Sequence, residues 1–139
     1  ERLADRIEAI VYIDAFLPRD GQMLWDLATD WERAHYIEGQ RDATGLIAPF
    51  PQAPFGKTRH PLLTVLEPAY PDAALGRIPA KVYIFATQGL PGTFGKFRDR
   101  AASETGWRLH EVESSHMVMH DVPEELTGIL LQQAPADAL

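Results

Sequence analysis

Five histidines, three serines and no cysteine limit what this chain can do by side-chain chemistry. The reactive types concentrate in Ser114-Ser115-His116-Met117-Val118-Met119-His120-Asp121-Val122-Pro123-Glu124-Glu125-Leu126, which reads as a strand end, a histidine-bearing loop and a helix start. In a parallel sheet the carboxyl ends of the strands share one edge, and ligands bind there. Three predicted loops leave that edge: Asp14-Ala15-Phe16, Thr87-Gln88-Gly89 and Ser114-Ser115-His116. An acid and an imidazole on neighbouring loops can pair. The carboxylate then fixes the tautomer and stabilises the imidazolium, so that the other ring nitrogen takes a proton from a nucleophile. Asp14 and His116 are the candidates for that pair. Each also has a plainer reading, Asp14 as a turn former and His116 as a surface-loop histidine.

The remaining reactive residues are less specific. Ser103, Ser114 and Ser115 are the only serines, and none is flanked by glycines in the way a strained nucleophile turn requires. Ser115 next to His116 is not a dyad on spacing alone, because adjacent side chains diverge. His116, His120 and Asp121 spell H-x-x-x-H-D, which on a helix would set two imidazoles on one face at metal-like spacing. Pro123, the loop context and the lack of a third ligand cluster argue against that, so neither metal nor cofactor is expected. Trp25, Trp31, Phe50 and Phe55 either line an acyl or aromatic pocket or belong to a core. Trp25 and Trp31, with Phe16 and Met117 beside the proposed pair, are the candidate substrate contacts.

Composition narrows the partners. The chain has 139 residues, 45% of them apolar, which fits one ordinary domain with a real core. Net charge is −7 and the isoelectric point is near 5.1. That balance does not suit nucleic acid or anionic membrane surfaces, which need clustered Lys and Arg. The absence of Cys excludes disulfides, thiolate catalysis and Cys-based zinc sites. No apolar run would span a bilayer and no signal peptide opens the chain; a cytoplasmic protein is the expectation. Glu1 is followed almost at once by a core-like strand, so a fragment, a processed product or a partial sequence is expected.

The elements that would position the pair are legible in outline. Ile7 to Ile13 is β-branched and apolar, and Pro18 with Asp20-Gly21 closes it with a turn. Leu24, Leu27, Ala28 and Trp31 fall on one helical face, predicting a helix over 22–34. Residues 39–59 are rich in Pro and Gly and read as a long loop or lid. His60-Pro61 is expected to open a short helix through Leu66. Lys81 to Thr87 is apolar on both faces, as in a parallel strand covered by helices. Thr93 is an expected N-cap for a helix over 94–104, stopped by Gly106. A third strand follows over 107–113, and a helix over 123–133 buries Leu126, Ile129 and Leu130 with acidic residues at its N-terminal end. The tail from Ala134 is expected to fray. Strands alternating with helices predict an α/β fold with a three-stranded parallel sheet. The first strand is too apolar to lie free, so a pairing partner at its open edge is expected.

With these residues in view, the chain resembles the C-terminal half of an α/β-hydrolase, in the branch of methyl esterases and hydroxynitrile lyases. VYIDAFLP resembles the sixth core strand and cap entrance, HPLLTVLEP the cap's return, KVYIFATQG the seventh strand, and SSHMVMHDVPEEL the histidine loop and last helix. The resemblance spans nearly the whole chain, with 18–70 as a cap or lid insert. It implies a Ser–His–acid triad whose serine sits in a G-x-S-x-G elbow after the fifth strand. His116 matches the general base. The usual acid position after the seventh strand has no carboxylate in Thr87-Gln88-Gly89-Leu90-Pro91, so Asp14, after the sixth strand, is the expected acid. Hydroxynitrile lyases typically carry Lys after the histidine; Met117 stands here and favours ester hydrolysis. The expected function is thus a carboxylic-ester hydrolase portion acting on a small-molecule ester. Its nucleophile would come from an N-terminal hydrolase half outside these residues, and the chain alone would be inactive. The alternative is a non-catalytic relic or dimerising module that forms a homo-oligomer through the open strand edge.

Overall fold

The computed structural model describes residues 3–51 and 58–134. The chain divides into two compact units, Glu1–Leu17 with Pro71–Leu139, and Pro18–Tyr70.

The first unit holds the parallel sheet. Its strands are β1 (Ala9–Ile13), β4 (Ala80–Ala86) and β5 (Trp107–Val112), in the order β1-β4-β5. Tyr12 lies opposite Tyr83, and Ile84 opposite His110. Alternation along β4 explains its continuous apolarity. Val82, Ile84 and Ala86 face one way and pack with Val112, Val118, Leu126 and Ile129, with Val11 and Ile13 against them. Burying each large aliphatic side chain in such a cluster is worth about 1.5–3 kcal/mol. On the other face Ile10 and Tyr12 pack on Ala4, Leu75 and Ile78. The helices of this unit are α4 (Asp72–Leu75), α5 (Gly95–Ser103), α6 (Val118–Asp121) and α7 (Pro123–Leu131). Among the described residues β1 is paired only with β4, so its outer edge is open.

The second unit holds α1 (Leu24–Leu27), α2 (Asp30–Asp42), α3 (Leu63–Leu66) and a two-stranded antiparallel ladder of β2 (Leu46–Ile47) with β3 (His60–Pro61). Its core is Ala28, Tyr36, Ile47 and Val65, with Trp25 and Phe50 packed against it.

The outline survives with local corrections. The helix expected over 22–34 is two helices, because Thr29 starts a new one. Its Oγ1 accepts from the Glu32 N–H at 3.3 Å and Glu32 Oε2 accepts from the Thr29 N–H at 2.7 Å. This reciprocal cap outweighs a continuous apolar face. The second helix then runs through Gly39 into the stretch expected to be loop. Gly39 is tolerated there because the Ala48 N–H approaches to 3.2 Å of where a Cβ would sit. His60-Pro61 forms ladder rather than helix, and helix begins at Leu63. Thr93 is buried but is not the cap; α5 starts one residue after Phe94. The short helices α4 and α6 were not expected. Pro54, Phe55 and Gly56 of the expected lid, and the tail from residue 135, lie outside the described residues. Among the described residues no helix is long and apolar enough to cross a membrane.

Candidate active site

β1 ends at Ile13, and the next residue, Asp14, turns the chain. It is the one non-glycine with positive φ (42°) among the described residues, a conformation that Asp tolerates better than most. Its N–H still donates to Ile84 O at 2.7 Å, so the backbone stays anchored to the sheet while the side chain swings over the ends of its neighbours. The carboxylate is fully buried. Oδ1 accepts from the Ala86 N–H at 3.3 Å, and Oδ2 lies 2.8 Å from His116 Nδ1, a contact between residues 102 apart in sequence. A buried carboxylate is costly unless its oxygens are met by donors, and here both are. In the neutral tautomer that carries its proton on Nδ1, facing Asp14, Nε2 keeps its lone pair. The His116 side chain is 45% exposed. A buried carboxylate behind a half-exposed imidazole is a geometry in which an acid can orient a base.

Neighbouring groups hold this pair. The Phe94 ring lies parallel to the imidazole, 6° between planes and 5.2 Å between centroids. Phe16 packs edge-on against Phe94 and Phe97. The Tyr83 hydroxyl donates to Ala15 O at 2.7 Å and Arg100 Nη1 to Leu17 O at 2.8 Å, fixing the stretch that leaves β1. Burial, then the negative charge of Asp14, pushes the Tyr83 phenol well above its ordinary value, so it stays a donor.

The histidine loop has its own clamp. Gln88 N–H donates to Ser114 O at 2.9 Å, tying the loop to the turn after β4. Asp121 Oδ2 accepts from the Ser115 N–H at 3.0 Å and from the Ser115 hydroxyl, while Oδ1 lies 3.1 Å from His120 Nδ1. The Ser115 hydroxyl, then His120, lowers the Asp121 carboxyl from its ordinary 3.8 to about 2. A folded-state value below the unfolded one stabilises the loop above the ordinary carboxylate range and is lost as pH falls through the folded value. The Ser115 amide resonance should therefore titrate with a midpoint near 2, and Asp121→Asn should abolish that step. A midpoint at 3.8 would contradict the clamp.

Of the sequence-predicted residues, His116, Asp14 and Phe16 come together, and Met117 follows His116 half-buried, its N–H donating to Ser115 Oγ at 3.2 Å. Trp25 and Trp31 lie in the other unit. Trp25 packs on Tyr36, and Trp31, exposed, stacks on Phe50 at 5.4 Å. The serines are engaged elsewhere: Ser103 donates to Arg100 O, Ser114 to Ser115 O and Ser115 to Asp121. The H-x-x-x-H-D motif is split, since His116 pairs with Asp14 and His120 with Asp121. No group of three His, Cys, Asp or Glu among the described residues could hold a metal. Sequence reasoning missed Phe94 and Asp121 as neighbours of the site. The signal for Asp121 was its place in the same short loop as His116; Phe94 carried none beyond its helix stripe.

No family model matches the chain. A carbendazim-hydrolysing esterase of a Nocardioides species is 29% identical over 147 residues, covering 91% of this chain and 61% of the esterase. An extracellular α/β-hydrolase of a Paenibacillus species, described as sharing structural and functional homology with tobacco salicylic acid binding protein 2, has a TM-score of 0.77 at 19% identity. It covers 96% of this chain, which spans 64% of that structure. A pyrethroid hydrolase has a TM-score of 0.63 at 17% identity, with coverage of 99% and 65%. The chain therefore spans 61–65% of the length of these proteins. At such identities the two structures speak to the fold, and function must be argued from the site.

Proposed function

From the premise that this chain is built on the fold of the α/β-hydrolase superfamily, we propose that it is the base-and-acid portion of a serine carboxylic-ester hydrolase acting on a small-molecule ester. The observation that carries this reading is the 2.8 Å contact between a buried Asp14 carboxylate and His116, both at the carboxyl edge of the parallel sheet. A half-exposed imidazole held from behind has one free nitrogen, and that is the arrangement that activates a hydroxyl.

In the proposed reaction His116 Nε2 takes the proton of a serine hydroxyl as its oxygen attacks the ester carbonyl carbon. Asp14 stabilises the imidazolium that results. The same nitrogen then gives the proton to the departing alkoxide, leaving an acyl-serine. Water then attacks the acyl-serine carbon, losing a proton to His116, which returns it to the serine oxygen as the acyl C–O bond breaks and the acid is released. The 139 residues contain no G-x-S-x-G, so the serine and most of the oxyanion donors are assigned to sequence outside them. The open outer edge of β1 supports this, since its apolar residues need a paired neighbour. Residues 18–70 are assigned as the cap insert. Phe16 and Met117, on the unit that carries the pair, remain proposed substrate contacts, and Trp25 and Trp31 are proposed ones on the cap unit by itself. The names of the similar proteins, a carbendazim-hydrolysing esterase and a pyrethroid hydrolase, agree with the reaction class.

The same open edge favours a second reading, in which two copies pair through β1 and no chemistry follows. A fluorophosphonate serine probe separates the two on the full-length protein. Labelling of one serine outside these residues, lost on competition with a nitrophenyl ester, is the expected result. Labelling of Ser103, Ser114 or Ser115 would overturn the first reading, as would no labelling with no ester turnover. A dimer in that last case would support the second.

A further inference from the structure

We propose that Gly89 is a positioning residue for the Asp14–His116 pair: its lack of a side chain is the space that the Asp14 carboxylate occupies. A Cβ at this position would lie 2.9 Å from Asp14 Oδ2, the same oxygen that meets His116 Nδ1, and 3.1 Å from Ala86 O. The glycine is not required by backbone conformation. Gly21, Gly45, Gly92 and Gly106 all have positive φ, whereas Gly89 does not. Proximity is therefore the reason for glycine here.

The surroundings decide what would move if a methyl group were added. The Gly89 backbone is pinned, its N–H donating to Ala86 O at 3.1 Å, while the preceding Gln88 N–H donates to Ser114 O. The Asp14 backbone is pinned too, by the Asp14 N–H on Ile84 O. Oδ1 is held by the Ala86 N–H at 3.3 Å. The movable atom is Oδ2, and moving it breaks the contact with His116. A substitution at Gly89 should thus act on the base without touching it. The effect on turnover rests on the function proposed above; the effect on the pair does not.

The test uses the full-length protein and two readouts. The first is the Nδ1–H proton resonance of His116 in the NMR spectrum. It should be present in the parent and in Gly95→Ala, a control glycine with open space around its Cβ position. It should be lost or strongly shifted in Gly89→Ala, as in Asp14→Gly. The second is a double-mutant cycle in kcat for a nitrophenyl ester. Gly89→Ala should cost about 10–100-fold in the parent, the scale of a misplaced catalytic group. In Asp14→Gly, where the carboxylate is gone and the added methyl has room, the same change should cost under about threefold. An unchanged His116 resonance in Gly89→Ala, or equal losses in both backgrounds, would overturn the proposal. If the parent hydrolyses no ester, the function proposed above fails while the NMR readout still decides the role of Gly89.

Discussion

Asp14→Asn is expected, on the proposed mechanism, to lower kcat of the full-length protein about 10⁴-fold, with KM changed only a few-fold. Asn keeps the shape of Asp and tolerates φ of 42°. Its amide oxygen can still accept from the Ala86 N–H, the contact Oδ1 makes at 3.3 Å. The other end of the amide becomes an N–H donor aimed at His116 Nδ1. The imidazole must then present a lone pair at Nδ1 and carry its proton on Nε2, where it cannot accept one from a nucleophile. The same substitution in a serine protease costs about 10⁴ in kcat for this reason. Asn is also the informative variant because Ala at this position would add backbone strain to any catalytic loss. Steady-state kinetics with a nitrophenyl ester, beside a thermal melt to establish folding, reads the effect. A folded variant that keeps more than a tenth of parental kcat would remove Asp14 from the proposed mechanism.

The largest expected loss follows from His116→Ala, about 10⁴–10⁶-fold in kcat, the scale seen when one member of a catalytic triad is deleted. The imidazole is 45% exposed, but its removal takes the donor from the buried Asp14 Oδ2, so a loss of stability is expected as well and a thermal melt accompanies the kinetics. What it leaves is a slot beside the Phe94 ring and above the Asp14 carboxylate. Imidazole added to the assay should enter that slot and restore part of the rate, whereas a bulkier base should not. Combining His116→Ala with Asp14→Asn should be no worse than His116→Ala alone, because the two residues act as one unit. Full activity of His116→Ala would mean that the pair at the sheet edge does not carry the reaction.

Much of the fold was readable because its signals are local. Val82 to Ala86 is apolar at every step, and only a strand covered on both faces accommodates that. Leu126 and Ile129 fall on one helical stripe, and Pro123 stands where a missing N–H does no harm. Errors came where one local signal overruled another. The periodic face from Leu24 to Trp31 hid the Thr29–Glu32 cap, although that pair was visible in the sequence. The glycines and prolines of 39–59 concealed the end of α2, because Gly39 reads as a break when taken alone. Its lack of a side chain instead admits the Ala48 N–H, which comes from the stretch just after β2.

The site divides along the same line. Sequence alone determined the residue types at the carboxyl edge of the sheet: an acid after one strand, a histidine after another, and no G-x-S-x-G among 139 residues. Those are properties of short segments, each with its own hydrophobic pattern and turn residues. Only the tertiary structure decided that Asp14 and His116, 102 residues apart, meet at 2.8 Å. It also decided that Phe94 covers the imidazole, that Asp121 clamps the loop behind it, and that Gly89 leaves room for the carboxylate. Strand register and close packing set such distances, and a shift of about an ångström would undo them. No spacing along the chain records that, because the atoms concerned become neighbours only when β1, β4 and β5 pair.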